Sequence, residues 1–191
     1  MKLLCGFLMT ILLCGVCASA RERASDSSSA LPSDTESLRV YLGTMLQAYQ
    51  AGDTATFNQL ANDLKLPSSD QWFRKSFGPD QVSTMNEKYD QSFQAFRSRL
   101  AKNFEKAGNV GTEVILEARN SKPLKGTSSS PTAPIPKVNI EIHSYRCVLT
   151  VQGKPRIEWM DSYVVVDGSL RYIGQGAFPF WGGPLIIKAN S

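Results

Sequence analysis

The stretch PDQVSTMNEKYDQSFQAFRSRLAKNFEKAG, residues 79–108, is the longest regular run in the chain. Its apolar residues are Val82, Met85, Tyr89, Phe93, Phe96, Leu100 and Phe104. Their spacing of three or four predicts one face of an α-helix. Glu87, Lys88, Asp90, Gln91, Gln94, Arg97, Arg99, Lys102 and Lys106 fall on the other side, the side expected to meet water. Pro79 suits a first helical turn and Gly108 the residue just past the last one. Four aromatics on one stripe need a broad apolar partner, and the β-rich half that follows is the large candidate. The stripe therefore reads as core.

Working outward toward the N-terminus, Trp72, Phe73 and Phe77 belong to a short helix, 71–77, stopped by Gly78. Before it, Leu66 to Asp70 reads as a turn. Asp53 caps a helix that buries Phe57, Leu60, Ala61 and Leu64. Ser33 or Asp34 caps the first helix, with Leu38, Tyr41, Leu42, Met45, Leu46, Ala48 and Tyr49 on its apolar face. Gly52 closes that helix, and the connection is short enough to force a tight corner.

Toward the C-terminus the period changes from 3.6 to 2. Residues 112–119 alternate as a strand with one buried face. Residues 121–137 are rich in Ser, Pro and Thr and read as a loose insertion. Strands at 138–151 and 156–166 follow, joined by Gln152-Gly153-Lys154-Pro155. Asp167-Gly168 is a strong two-residue turn into 169–173. Phe178 to Trp181 reads as an aromatic plug, and 185–188 as a last short strand.

Helices followed by a run of antiparallel strands predict an α+β domain over 34–188, with the N-terminal helices packed on a curved antiparallel sheet. Residues 1–20 read as a secretory signal peptide: Lys2, an apolar run from Leu3 to Val16, then Ala18-Ser19-Ala20. An uncleaved membrane anchor is the competing reading of that run. A lipidated cysteine fits poorly, because neither Cys14 nor Cys17 follows a suitable small residue. Residues 21–33 read as a flexible leader, and the expected location is periplasmic or secreted.

From Asp34 to Trp181 the element order resembles the cystatin-like, nuclear-transport-factor-two-like superfamily, with a strand meander coned around a long helix. Trp72-Phe73, Phe77-Gly78, Tyr89, Val166-Asp167-Gly168, Arg171-Tyr172-Ile173-Gly174 and Phe178-Pro179-Phe180-Trp181 are similar to a family of exported bacterial proteins of unknown function. A more distant likeness is to periplasmic phospholipid-shuttling proteins. The resemblance implies a cone-like fold and brings no catalytic motif. Enzymes of the superfamily often use a His–Asp dyad or an aspartate–tyrosine pair.

Strand parity assigns the sheet faces. With the first hairpin centred on Gly153-Lys154, Asp161 faces Arg146; with the second on Asp167-Gly168, Tyr163 faces Tyr172. The helix-facing side then carries Ser144, Arg146, Trp159, Asp161, Tyr163 and Tyr172. Two charges inside a core cost several kcal/mol unless paired, so a cross-strand Arg146–Asp161 pair at a wet cleft is expected. It is either a structural ion pair at the sheet rim or an anchor for an anion or a polar head group. The ligand-binding set is Ser144, Arg146, Trp159, Asp161, Tyr163, Tyr172, Phe93 and Phe96. Weak catalytic candidates are Asp161 as base with Tyr163 or Tyr172 as donor. His143, the one histidine, is placed on the opposite face and read as a rim residue.

Other chemistries find little support. Loss of 1–20 leaves Cys147 as the single cysteine, so no internal disulfide is expected, and it reads as a small buried hydrophobe. One histidine and one thiol cannot close a zinc site, and no glycine-rich phosphate loop precedes a helix. Without Lys2, 20 Lys and Arg face 17 Asp and Glu, and the basic residues form no stripe for nucleic acid. No cofactor or metal is expected. The sequence favours a non-enzymatic exported domain that takes a small or lipid-like ligand, or an envelope protein partner, between long helix and sheet. The alternatives are an isomerase- or dehydratase-like enzyme and a pure interaction module using Phe178 to Trp181.

Overall fold

A computed structural model describes residues 30–108, 111–124 and 137–175, and within them four α-helices precede four strands. The elements lie in one unit that begins at Leu31. The class is α+β, as the element order predicts. The signal-like segment, Phe178 to Trp181 and residues 185–188 lie outside the described residues.

Helix α1, Thr35–Gln50, starts at Asp34. The Asp34 carboxylate accepts from the Ser37 amide at 2.8 Å, and the Ser37 hydroxyl accepts from the Asp34 amide at 3.0 Å. This reciprocal cap satisfies two end donors. Helix α2, Thr54–Asp63, starts at Asp53, which accepts from the Thr56 amide at 3.0 Å. Helix α3, Ser69–Phe77, ends at Gly78. Pro79–Gln81 forms a single 3₁₀ turn, and helix α4 then runs Val82–Ala107. All seven residues of its stripe are buried, together with Asn103 and Ala107.

Strand β1, Thr112–Leu124, is followed by β2, Ile140–Val151, β3, Lys154–Val166, and β4, Ser169–Gln175. They form one antiparallel meander in the order β1-β2-β3-β4. Strand β1 runs into the stretch expected to be loose. After a register shift between Arg119 and Lys122 it pairs Pro123 with Glu141 and Leu124 with Ile140. A proline, which lacks an amide hydrogen, is tolerated here because β1 lies at the sheet edge.

The β2–β3 hairpin departs from the expected register. Its turn is Gln152-Gly153, both at positive φ (51° and 74°), so Val151 pairs with Lys154. That is the mirror-image two-residue turn that strand twist prefers. The register then slips by one residue, from Thr150↔Pro155 to Leu149↔Ile157. Arg156 is the extra residue, a bulge beside a proline. As a result Arg146 pairs with Met160, and Asp161 pairs with Tyr145. A one-residue slip exchanges the faces of a strand. The helix-facing side of β2 therefore carries His143, Tyr145, Cys147 and Leu149. The β3–β4 hairpin keeps the expected register, with Tyr163 on Tyr172 and Val165 on Leu170.

The helices close one sheet edge. The Leu170 amide donates to the Pro32 carbonyl at 2.6 Å, and the Tyr172 amide to the Leu64 carbonyl at 2.8 Å. The buried Tyr89 hydroxyl accepts from the Leu66 amide at 2.6 Å and donates to the Tyr172 carbonyl at 3.3 Å. One side chain of α4 thus ties the α2–α3 loop to β4.

Candidate functional site

Asp161 stands on β3 with 0% of its surface exposed. It is paired with Arg99 of α4 through Oδ1, and its Oδ2 accepts from Trp159 Nε1 at 2.7 Å. Both carboxylate oxygens are therefore engaged. The Arg99 side chain is 17% exposed, so the pair lies just under the surface where α4 crosses the sheet. Its guanidinium also sits over the Phe96 ring, 5.8 Å from the centroid.

Arg99 belongs to the helix side expected to meet water. The residue is one position from Leu100 and three from Phe96, at the flank of the apolar stripe. A long side chain there reaches inward along its neighbours while its stem packs. Arg97 likewise reaches Asn58 of α2, at 2.7 Å. Helical periodicity assigns a Cα to a face and says nothing of where a long side chain ends.

Arg146, the partner expected for Asp161, is on the other side of the sheet. There its guanidinium meets Glu117 at 2.8 Å and Glu158 at 2.7 Å. Ser144 lies on that side too, its hydroxyl 3.0 Å from that of Ser162. The slip at Arg156 accounts for both corrections. It also removes the reason for separating His143 from Asp161, since both now fall on the helix-facing side by parity. His143 stays at the rim, with Nε2 3.8 Å from Glu141, and the Asp161 oxygens are taken by Arg99 and Trp159. Cys147 is buried as expected, opposite Trp159.

The remaining six expected residues come together. Phe93 and Phe96 of α4 and Trp159, Asp161, Tyr163 and Tyr172 of the sheet are all buried. Phe96 stacks on Tyr172 at 4.1 Å, and Tyr163 meets Tyr172 edge-on at 6.0 Å. Tyr145, which falls outside if its neighbours Ser144 and Arg146 face the helices, packs edge-on to Tyr163 at 5.8 Å. The Tyr172 hydroxyl lies 3.5 Å from that of Ser92. These aromatics fill space between helix and sheet by resting on one another.

The electrostatics follow from burial. Burial pushes the Asp161 carboxyl up to about 6, against the pull of Arg99 and Trp159. Burial is the largest influence on the Arg99 charge and opposes it, yet Asp161 together with Tyr172 and Tyr163 holds Arg99 above its ordinary value. Burial raises the Tyr163 hydroxyl and the Cys147 thiol well above their usual ranges, and pushes Tyr172 up to about 12. All three stay protonated at neutral pH, so the site carries one negative and one positive charge and several neutral donors.

Two donors are left over. Arg99 Nε and Tyr163 Oη are buried and have no hydrogen-bond partner. Arg97 Nε and Arg171 Nε share this state, and a buried donor of this kind is ordinarily met by water or by a bound group. Asp161, with both oxygens held and no exposure, is not available as a base to an incoming substrate. Among the described residues no three His, Cys, Asp or Glu side chains cluster to hold a metal, and no helix is long and apolar enough to cross a membrane.

Comparison with protein-family models, curated proteins and solved structures finds no match to this chain. The functional reading therefore stands on the residues themselves.

Proposed function

We propose that the chain is an exported, non-enzymatic binding domain whose ligand is a small anion held by Arg99 and Tyr163 at the seam of α4 and β3. The observation that carries this reading is the pair of buried donors without an acceptor, Arg99 Nε and Tyr163 Oη. Each is a donor that a bound anion would satisfy, and Arg99, 17% exposed, is the solvent-reaching member of the site. Arg99 thereby takes the anchoring role that strand parity gave to Arg146. A lipid-like tail fits less well, because it would have to part Phe96 from Tyr172. The closure of Asp161 weighs against an isomerase or dehydratase built on it as base. Export rests on the signal-like first twenty residues.

The test is native mass spectrometry of the protein purified from its own envelope, beside thermal melts with phosphate, acetate and citrate. A bound anion, or a melting shift with one of these probes that Arg99→Met removes, supports the reading. A bare mass together with melts unmoved by every probe rejects it.

A further inference from the structure

We infer that β1 is a self-pairing edge, and that two copies of the chain join their sheets antiparallel through it, with Leu116 on the twofold axis. The inference is independent of the anion site.

The two edges of the sheet are treated differently. The β4 edge is closed by the chain itself, through the carbonyls of Pro32 and Leu64. The β1 edge has no strand partner among the described residues, although β1 is 13 residues long. Its stretch from Thr112 to Arg119 pairs with β2 without a bulge. It contains no proline and no inward-pointing charge, two of the devices that blunt an edge, and the register shift and Pro123 of β1 come only after Arg119. Its inward residues by register, Val114, Leu116 and Ala118, are apolar. Its outward residues are Glu113, Ile115, Glu117 and Arg119. Ile115 is 42% exposed, one of the few large apolar side chains in the open.

Charge then selects the register and the occupant. In a twofold antiparallel pair that keeps each sheet face continuous, residue i meets residue i′ related through the axis. With the axis at Leu116, Glu113 of each copy meets Arg119 of the other, twice over. Val114 meets Ala118, and Leu116 meets itself. Ile115 faces Glu117 directly and lies diagonal to its own counterpart, which covers both exposed isoleucines. Moving the axis to Ile115 sets Glu113 against Glu117, and moving it to Glu117 sets that glutamate against itself. Like charges directly opposed are unfavourable. An axis at Ala118 would carry the pairing across the register shift between Arg119 and Lys122. Within the regular stretch one register is complementary, and it is complementary to a second copy.

The experiment is sedimentation equilibrium on the full chain over a wide concentration range, with two charge reversals. Wild type is expected to dimerise with rising concentration. Glu113→Arg sets two arginines opposed and Arg119→Glu two glutamates, so each alone weakens dimerisation at least about tenfold. Mixed together they complement at both contacts, and a heterodimer forms again. Circular dichroism of each variant checks that these surface changes leave the fold intact. A wild type that stays monomeric throughout overturns the inference, whether another segment of this chain or a different protein covers the edge. Dimers indifferent to both reversals, or a mixture that stays monomeric, overturn it equally.

Discussion

Arg99 and Asp161 are 62 positions apart, and they meet under the surface as the ion pair between α4 and β3. Asp161 is closed to solvent and Arg99 is not, so the two substitutions are unequal. Arg99→Met strands a buried carboxylate, which costs about 3–5 kcal/mol in comparable sites. Arg99→Met combined with Asp161→Leu removes both charges and leaves the Trp159 indole N–H as the main loss, about 1–3 kcal/mol. Urea unfolding should therefore find the double variant more stable than Arg99→Met alone. A double variant as weak as the single would mean that the pair is not what fixes Arg99 in place.

The same carboxyl gives a pH dependence whose sign is unusual for an acid in an ion pair. Its folded value, about 6, stands above the ordinary 3.8. The folded state therefore holds this proton more tightly than the unfolded state does. Its contribution is full below about pH 4 and is lost as pH rises to about 6. Measured against the double variant, wild-type stability should fall by on the order of 3 kcal/mol across that window and stay level above it. A difference that grows with pH would mean that Arg99 outweighs burial.

Arg146 makes two short contacts, to Glu117 and Glu158, yet both carboxylates are about half exposed. Pairs of this kind gain little, because water and salt screen them and long side chains must be ordered. Arg146→Met should move the urea midpoint no further than Lys154→Met does in 0.15 M salt. A collapse comparable with that of Arg99→Met would show that the outer sheet face is tightly covered around Arg146.

The contrast between the two arginines marks how far the sequence could be read. Helices, caps and buried stripes were legible because each rests on local spacing: Asp34 and Asp53 cap, Gly52 and Gly78 stop, and the α4 stripe is buried throughout. The β3–β4 register was legible because Asp167-Gly168 admits one tight turn. The β2–β3 register was not, since Gln152-Gly153 competes with Gly153-Lys154 for the turn and the bulge at Arg156 has no strong signature beyond Pro155. That single slip moved Arg146 and Ser144 to the far face and brought Tyr145 and Cys147 inside. Six of eight site residues still converge, because their placement depends on β3, β4 and α4 alone. Arg99 escaped because faces are assigned by Cα position, while its guanidinium acts several ångströms away.

Tyr89 is the joint between α4, the α2–α3 loop and β4. Its hydroxyl accepts from the Leu66 amide and donates to the Tyr172 carbonyl, both buried. Phenylalanine keeps the ring and its edge contact with Phe73, 5.7 Å away, and deletes those two bonds. Tyr89→Phe should cost about 1–3 kcal/mol, the range for stranding buried backbone groups. Hydrogen exchange should show the Leu66 amide opening sooner while amides at the centre of α1 keep their protection in proportion to global stability. Uniform loss of protection with no preference for Leu66 would contradict the assignment.

Two glycines should respond in opposite directions to the same substitution. Gly43 lies within α1, where an added Cβ meets nothing within 4 Å, so Gly43→Ala should stabilise by about 0.5–1 kcal/mol through helix propensity. Gly78 ends α3 at φ +98°, and an added Cβ would run into the Lys137 side chain. That lysine is held there by its own amide, which donates to the Ser76 carbonyl at 2.7 Å. Its ammonium can retreat, so the steric part is relieved cheaply and backbone strain dominates. Gly78→Ala should therefore destabilise by about 1–3 kcal/mol, the penalty of a side chain in a backbone region essentially reserved for glycine (φ 98°, ψ 166°). Removing the ammonium as well, with Lys137→Ala in the Gly78→Ala background, should recover little of that loss. Urea midpoints of the three variants measure this, and full recovery in the double variant would assign the cost to the clash in place of the backbone.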